Sequence, residues 1–190
     1  MHDKTIAWVN IDIKNRIHEF SYGEYPKSHL WGFVDKKDDF ISVINPLGKN
    51  RIVKSLCKLF QTITKDRIGD ALIEISLLYK IKDFDAIYCV SGNLFFIPLL
   101  KKFGLIKTRL ILLLYKLPEP TPWWKFHHFN HSIFIIKAYN RINCLTKKLE
   151  QDLKKRDFKG FTQFIEWTTD EVLFSTNKPL KGKFFFSTGK

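Results

Sequence analysis

The stretch from Phe84 to Leu117 constrains this chain more than any other. It holds two short apolar runs, Ala86–Val90 (AIYCV) and Arg109–Tyr115 (RLILLLY), rich in residues that suit a buried strand. Between them Leu94–Phe103 has the length of a helix and stops at Gly104, a natural C-terminal signal. Neither apolar run alternates with polar residues, so both predict strands of a parallel sheet covered on its two faces. Strand, crossover helix and strand make a right-handed βαβ unit, and ligands of such sheets sit beyond the carboxyl ends of the strands. That geometry selects Ser91, Gly92 and Asn93 after the first strand and Lys116 to Pro120 after the second.

The same alternation extends in both directions. Thr5–Val9 and Phe40–Val43 read as strands, with the polar stretch Asn10–Ser28 between them as a long binding loop and Leu30–Lys36 as a short helix. Ile68–Ile81 carries a helical pattern. Thr121-Pro122 is a cap followed by proline at the first helical position, which predicts a helix running to about Asn140. Arg141–Leu145 is a strand, Thr146 caps a charged helix over Lys147–Arg156, and Phe161–Ile165 and Lys183–Ser187 are further strands. Strands and helices alternating in this way predict an α/β three-layer sandwich with a mostly parallel sheet. At 190 residues the chain is long enough for one sizeable core and too short for two large domains.

Charge and cysteine usage narrow the setting. The formal net charge is +13, which reads either as a field that favours phosphate-bearing partners (nucleic acid, an anionic membrane surface or a nucleotide sugar) or as the mark of a basic, Lys-rich proteome, since the charge is scattered. From Lys49 to Lys65 the residues Ile52, Val53, Leu56, Leu59, Phe60 and Ile63 recur at helical spacing, with Lys49, Arg51, Lys54, Lys58 and Lys65 on the polar side. Two readings stand: a helix packed on the sheet with a solvated basic face, or a helix lying on anionic lipid headgroups. The 3 cysteines, Cys57, Cys89 and Cys144, are scattered among apolar residues, which predicts buried thiols in a reducing compartment. The N-terminus lacks a signal-peptide core and no apolar run reaches membrane-spanning length. A cytoplasmic protein is expected, with peripheral contact at the inner face of a membrane as an option.

Motifs for several chemistries are missing. Neither GxxxxGK[ST] nor GxGxxG occurs, and there is no GxSxG elbow. No resident cofactor is expected. His127, His128 and His131 form an HHxxH cluster with no carboxylate or cysteine nearby in sequence, so an exposed or acceptor-facing polar cluster outweighs both packing and a metal site. Trp123 and Trp124 suit half-buried anchors better than base stackers, and no nucleic-acid-binding signature accompanies them. Glu119 and Glu166 follow strands, where a general acid or base would stand, although a lone carboxylate there also serves as a cap or ion-pair partner.

The end of the chain carries a resemblance. Phe164–Phe174 reads FIEWTTDEVLF, and KFFFSTGK follows nine residues later. This resembles the interdomain region of GT-B glycosyltransferases of the glycosyltransferase 4/1-like group, where a final N-terminal-domain strand leads into a pattern near EWGxD…F. Glu166, Trp167, Asp170 and Phe174 fit that pattern, and so do Ser187, Gly189 and Lys190; Thr168 stands where the group has glycine. NCLTKKLEQDL is similar to the group's preceding strand, hydroxyl residue and helix. The resemblance implies a Rossmann-like acceptor-binding domain over residues 1–178, then a linker and the first strand of a donor-binding domain over 179–190, nearly all of which is missing here. It implies transfer of a sugar from a nucleotide-sugar donor to a glycan or membrane-linked acceptor, with the chain inactive alone. Group members often carry His or Asp just after the fourth strand; here Tyr115, Lys116 and Glu119 stand near that place, which makes Glu119 the candidate base. Ser21, Tyr22, Gly23, Ser91, Gly92, Asn93, Lys116 and His127 are the candidate acceptor contacts, and Glu166, Trp167, Asp170, Gly189 and Lys190 the donor-side residues. The alternative from another class is a non-catalytic basic α/β module that binds anionic membrane or a polyanion.

Overall fold

Among the described residues, six parallel strands form one sheet in the order β2-β1-β3-β4-β5-β6. They are β1 (Ile6–Val9), β2 (Phe40–Ser42), β3 (Ala86–Val90), β4 (Arg109–Leu114), β5 (Arg141–Cys144) and β6 (Phe161–Phe164). The helices are α1 (Ile13–Ser21), α2 (Arg51–Thr64), α3 (Ala71–Tyr79), α4 (Phe96–Lys102), α5 (Ile133–Ile136) and α6 (Lys147–Lys155). This computed structural model describes residues 5–9, 13–25, 30, 40–42, 50–64, 70–90, 94–117 and 133–166. The architecture is a Rossmann-like α/β sandwich, as the alternation of apolar runs predicts. The expected domain boundary near residue 178, the strand at Lys183–Ser187 and the helix start at Thr121 lie outside the described residues.

β3 is buried along its whole length and β4 from Leu112 to Leu114, because both faces are covered there. On one face Ala7, Val9, Ile87, Cys89, Leu110, Leu112, Leu114, Ile142 and Cys144 meet Leu77 of α3, Ile97 of α4, Ile135 and Ile136 of α5, and Leu149 and Leu153 of α6. On the other, Trp8, Tyr88, Val90 and Leu113 meet Leu30, with Ile17 and Phe20 of α1 and Tyr25 packed alongside. Full burial of each large apolar side chain contributes about 1.5–3 kcal/mol. The layering follows from handedness: a right-handed crossover from β1 outward to β2 lies on one face, and crossovers stepping the other way through β3, β4, β5 and β6 lie on the opposite one.

Local chemistry fixes the ends of these elements. Asp70 caps α3 through Leu72 N–H and Ile73 N–H at 3.0 and 3.1 Å. Asn50 caps α2 in the same way, and Thr146 caps α6 through Leu149 N–H at 3.1 Å, as predicted. At the amino ends of the strands, Asp85 accepts from Thr5 N–H and the Asn140 side chain accepts from Leu110 N–H, both at 2.9 Å. The Asn140 carbonyl accepts from Phe161 N–H as well, so this one residue ties β4 to β6.

Three expectations are corrected. The stretch read as a loop from Asn10 to Ser28 contains α1, because Ile17 and Phe20, three apart, suffice to seat a helix on the second core face. The helix expected to reach Asn140 ends at Ile136, because Asn140 is engaged by the sheet. α2 packs against α3 rather than directly on the sheet, and Ile52, Leu56, Leu59 and Ile63 stay exposed. The three thiols are buried and free, as expected.

Candidate functional site

Strand order reverses between β1 and β3, and an open α/β sheet binds ligands at such a point, beyond its carboxyl ends. The described rim consists of Leu94 and Phe95 ahead of α4, Tyr115 to Leu117 after β4, Leu145 and Thr146 after β5, and Ile165 and Glu166 after β6.

One part of this rim is closed by the protein itself. Glu74 of α3 is only 1% exposed, and its carboxylate accepts from Phe95 N–H at 2.7 Å and Ile97 N–H at 2.8 Å. Those are the unpaired amides at the start of α4, where many doubly wound folds hold a phosphate. A carboxylate already fills that position, so the start of α4 does not serve as a pyrophosphate cradle. Burial pushes the Glu74 carboxyl up to about 7, against the opposing pull of the Ile97, Phe95 and Phe96 amides.

A second constellation lies on the α1 face. Tyr88 is 8% exposed, hydrogen-bonds the Asn143 side chain, and is pushed up to about 12 by burial. Arg141 Nε donates to Asn143 Oδ1 at 3.0 Å and its Nη2 donates to Gln163 Oε1, while its guanidinium lies 5.0 Å from the Phe161 ring centroid. Tyr115, 40% exposed, stands just past β4, its hydroxyl raised by burial and by the neighbouring Tyr88 and Tyr25 hydroxyls. These phenols stay protonated at neutral pH. They offer hydrogen bonds and aromatic faces, the chemistry that holds polyhydroxylated ligands, rather than a base.

Of the residues selected from sequence, Lys116 is exposed on the rim after β4. Glu166 is exposed one residue past Ile165, whose N–H donates to Cys144 O at 2.8 Å and so extends the ladder beyond β6. Ser21, Tyr22 and Gly23 form the stop of α1. Gly23 N–H donates to Phe20 O and Glu24 N–H to Glu19 O, both at 2.9 Å, and Gly23 takes φ +71°. The Ser21 hydroxyl donates to His18 O at 2.7 Å, and the Tyr22 ring lies 4.8 Å from that of His18. Ser91, Gly92, Asn93, Glu119, His127, Trp167, Asp170, Gly189 and Lys190 lie outside the described residues.

Sequence reasoning passed over Glu74, Tyr88, Arg141 and Asn143, although all but Tyr88 left a signal. Glu74 is the one acid in ALIEISLLY, with Ala71 and Leu78 at its i−3 and i+4 positions. Arg141 and Asn143 are the polar alternates of a strand whose other residues, Ile142 and Cys144, are buried.

A groove of about 490 Å³ lies between α2, α3 and α4, lined by Leu56, Cys57, Phe60, Ile75, Leu78 and Phe96 among others, with Glu74 at its wall. Among the described residues no three His, Cys, Asp or Glu side chains gather to hold a metal, and no helix is long and apolar enough to cross a membrane. Comparison with protein families, with curated proteins and with solved structures gives no match.

Proposed function

We propose that this chain is the acceptor-side domain of a two-domain glycosyltransferase, which moves a sugar from a nucleotide donor to a glycan or lipid-linked acceptor. The observation that carries the reading is the position of Ile165 and Glu166. Among the described residues β6 is one of two parallel edge strands, and the chain leaves it at the carboxyl rim, where the EWxxD pattern resembling an interdomain segment begins. A second wall joined there would face the crevice. The closed start of α4 supports the assignment to the acceptor side: with Glu74 bound to the Phe95 and Ile97 amides, this domain has no phosphate cradle there to hold the donor. Tyr115 and Lys116 then meet the acceptor, and Glu119 takes the proton from its hydroxyl.

The test combines the purified chain with a separately expressed donor-binding domain. UDP-glucose, UDP-N-acetylglucosamine and GDP-mannose serve as donors, and a polyprenyl-diphosphate-linked sugar as acceptor. Transfer is expected only when both proteins are present, and Glu119→Gln abolishes it without changing the chain's unfolding midpoint. Amide shifts at Tyr115–Leu117 on adding acceptor to the chain alone give a second readout. Absence of both transfer and rim shifts refutes the reading.

A further inference from the structure

α2 carries apolar residues on more of its circumference than the protein uses. At about 100° per residue, Ile52, Leu56, Leu59 and Ile63 fall within an arc of about 60°. They are 73%, 60%, 57% and 70% exposed. The helix turns a different arc toward α3: Cys57 is buried there, and Val53 and Phe60 are half-buried. The exposed residues are thus a second apolar stripe beside the packing face, ordered along the full helix, unlike the isolated exposures normal on protein surfaces. The stripe is also continuous with the groove below it. Leu56 belongs to both, and beyond it the groove is walled by Ile75, Leu78, Phe96, Leu99 and Leu100.

The charges of the helix select its partner: by the same angular count Arg51 and Lys58 lie to one side of the stripe and Lys54 opposite it. Arg51–Thr64 contains Arg51, Lys54 and Lys58 and no acid, and Lys49 and Lys65 bracket it in sequence. A second copy seated on this face would oppose cation to cation, within a pair of chains carrying +13 each. An anionic lipid surface offers the complement to both features: hydrocarbon for the stripe and phosphate for the cations, whose long stems reach from helix to headgroup. At 14 residues, about 21 Å, the helix is suited to lying in the interface rather than spanning it.

We propose that α2 is a docking helix that lays Ile52, Leu56, Leu59 and Ile63 into the interface of an anionic bilayer, with Arg51 and Lys58 at its headgroups. The inference is independent of the glycosyltransferase reading and stands without it.

The experiment is co-sedimentation of the full chain with vesicles of phosphatidylcholine alone and of equal parts phosphatidylcholine and phosphatidylglycerol, without sugar nucleotide or acceptor. The chain is expected to pellet with the anionic vesicles, less so as salt rises, and to stay in solution with the neutral ones. Leu56→Asn with Leu59→Asn lowers partitioning by more than about tenfold. Arg51→Gln with Lys58→Gln lowers it and flattens the salt dependence. Both pairs sit at exposed positions, and unchanged urea midpoints verify that the variants fold. A fluorophore at Leu59→Cys, reachable while the native thiols are buried, shifts to the blue with anionic vesicles. Equal binding to both vesicle types, binding that survives Leu56→Asn/Leu59→Asn, or no binding at all overturns the proposal. So does a concentration-dependent dimer that those substitutions abolish, which would assign the face to a second copy. Sugar transfer without vesicle binding, or the reverse, separates this proposal from the functional one.

Discussion

The buried carboxyl of Glu74 makes a quantitative prediction about pH. In the folded chain it titrates at about 7, against an ordinary 4.5. The folded state therefore holds this proton more tightly than the unfolded state does. Its contribution to stability is fully present below pH 4.5, declines as the unfolded chain ionises first, and is lost once pH passes 7. A shift of that size corresponds to about 3 kcal/mol across the window, at 1.36 kcal/mol per pH unit. Glu74→Gln removes the titration while keeping the shape. One amide of the Phe95 and Ile97 pair loses its acceptor, which costs about 1 kcal/mol at every pH. Urea unfolding followed by tryptophan fluorescence, at a series of pH values from 4.5 to 8, gives stability for both proteins. Groups that the substitution leaves untouched cancel in the difference. The wild-type advantage over Glu74→Gln is expected to shrink by about 3 kcal/mol as pH rises. Parallel curves would refute the reasoning: they would mean that the amides at the start of α4 hold Glu74 ionised despite its burial.

Two further substitutions test the frame that positions the rim. Thr146→Ala removes the acceptor for Leu149 N–H and is expected to cost about 1 kcal/mol in urea unfolding. Gly160→Ala places a methyl carbon 2.9 Å from the Asn140 carbonyl oxygen and into the Phe158 ring. It is expected to cost about 1–3 kcal/mol by the same assay and to raise amide exchange at Phe161, whose N–H bonds that oxygen.

Legibility in the sequence divided along a physical line. β3 and β4 announced themselves because a strand covered on both faces has no polar residue to interrupt it, and AIYCV and RLILLL are such runs. Thr146 was legible because capping is decided within four residues. α1 was not, since Ile17 and Phe20 carry its attachment among polar neighbours and their value exists only once β1 and β3 form the surface beneath them. In the candidate site, Lys116 and Glu166 follow from strand ends alone. The link between Tyr88 and Asn143, from strands more than fifty residues apart, does not.

By itself, then, the sequence determined which segments become the six strands and that the sheet is parallel, because burial pattern acts over a few residues. Only the tertiary structure decided which side of α2 is covered and where Glu74 points. The spacing of Val53, Cys57 and Phe60 is as helical as that of Ile52, Leu56, Leu59 and Ile63. Which set finds a partner depends on where α3 and α4 stand, and that is settled by long-range packing on the sheet rather than by anything local to the helix.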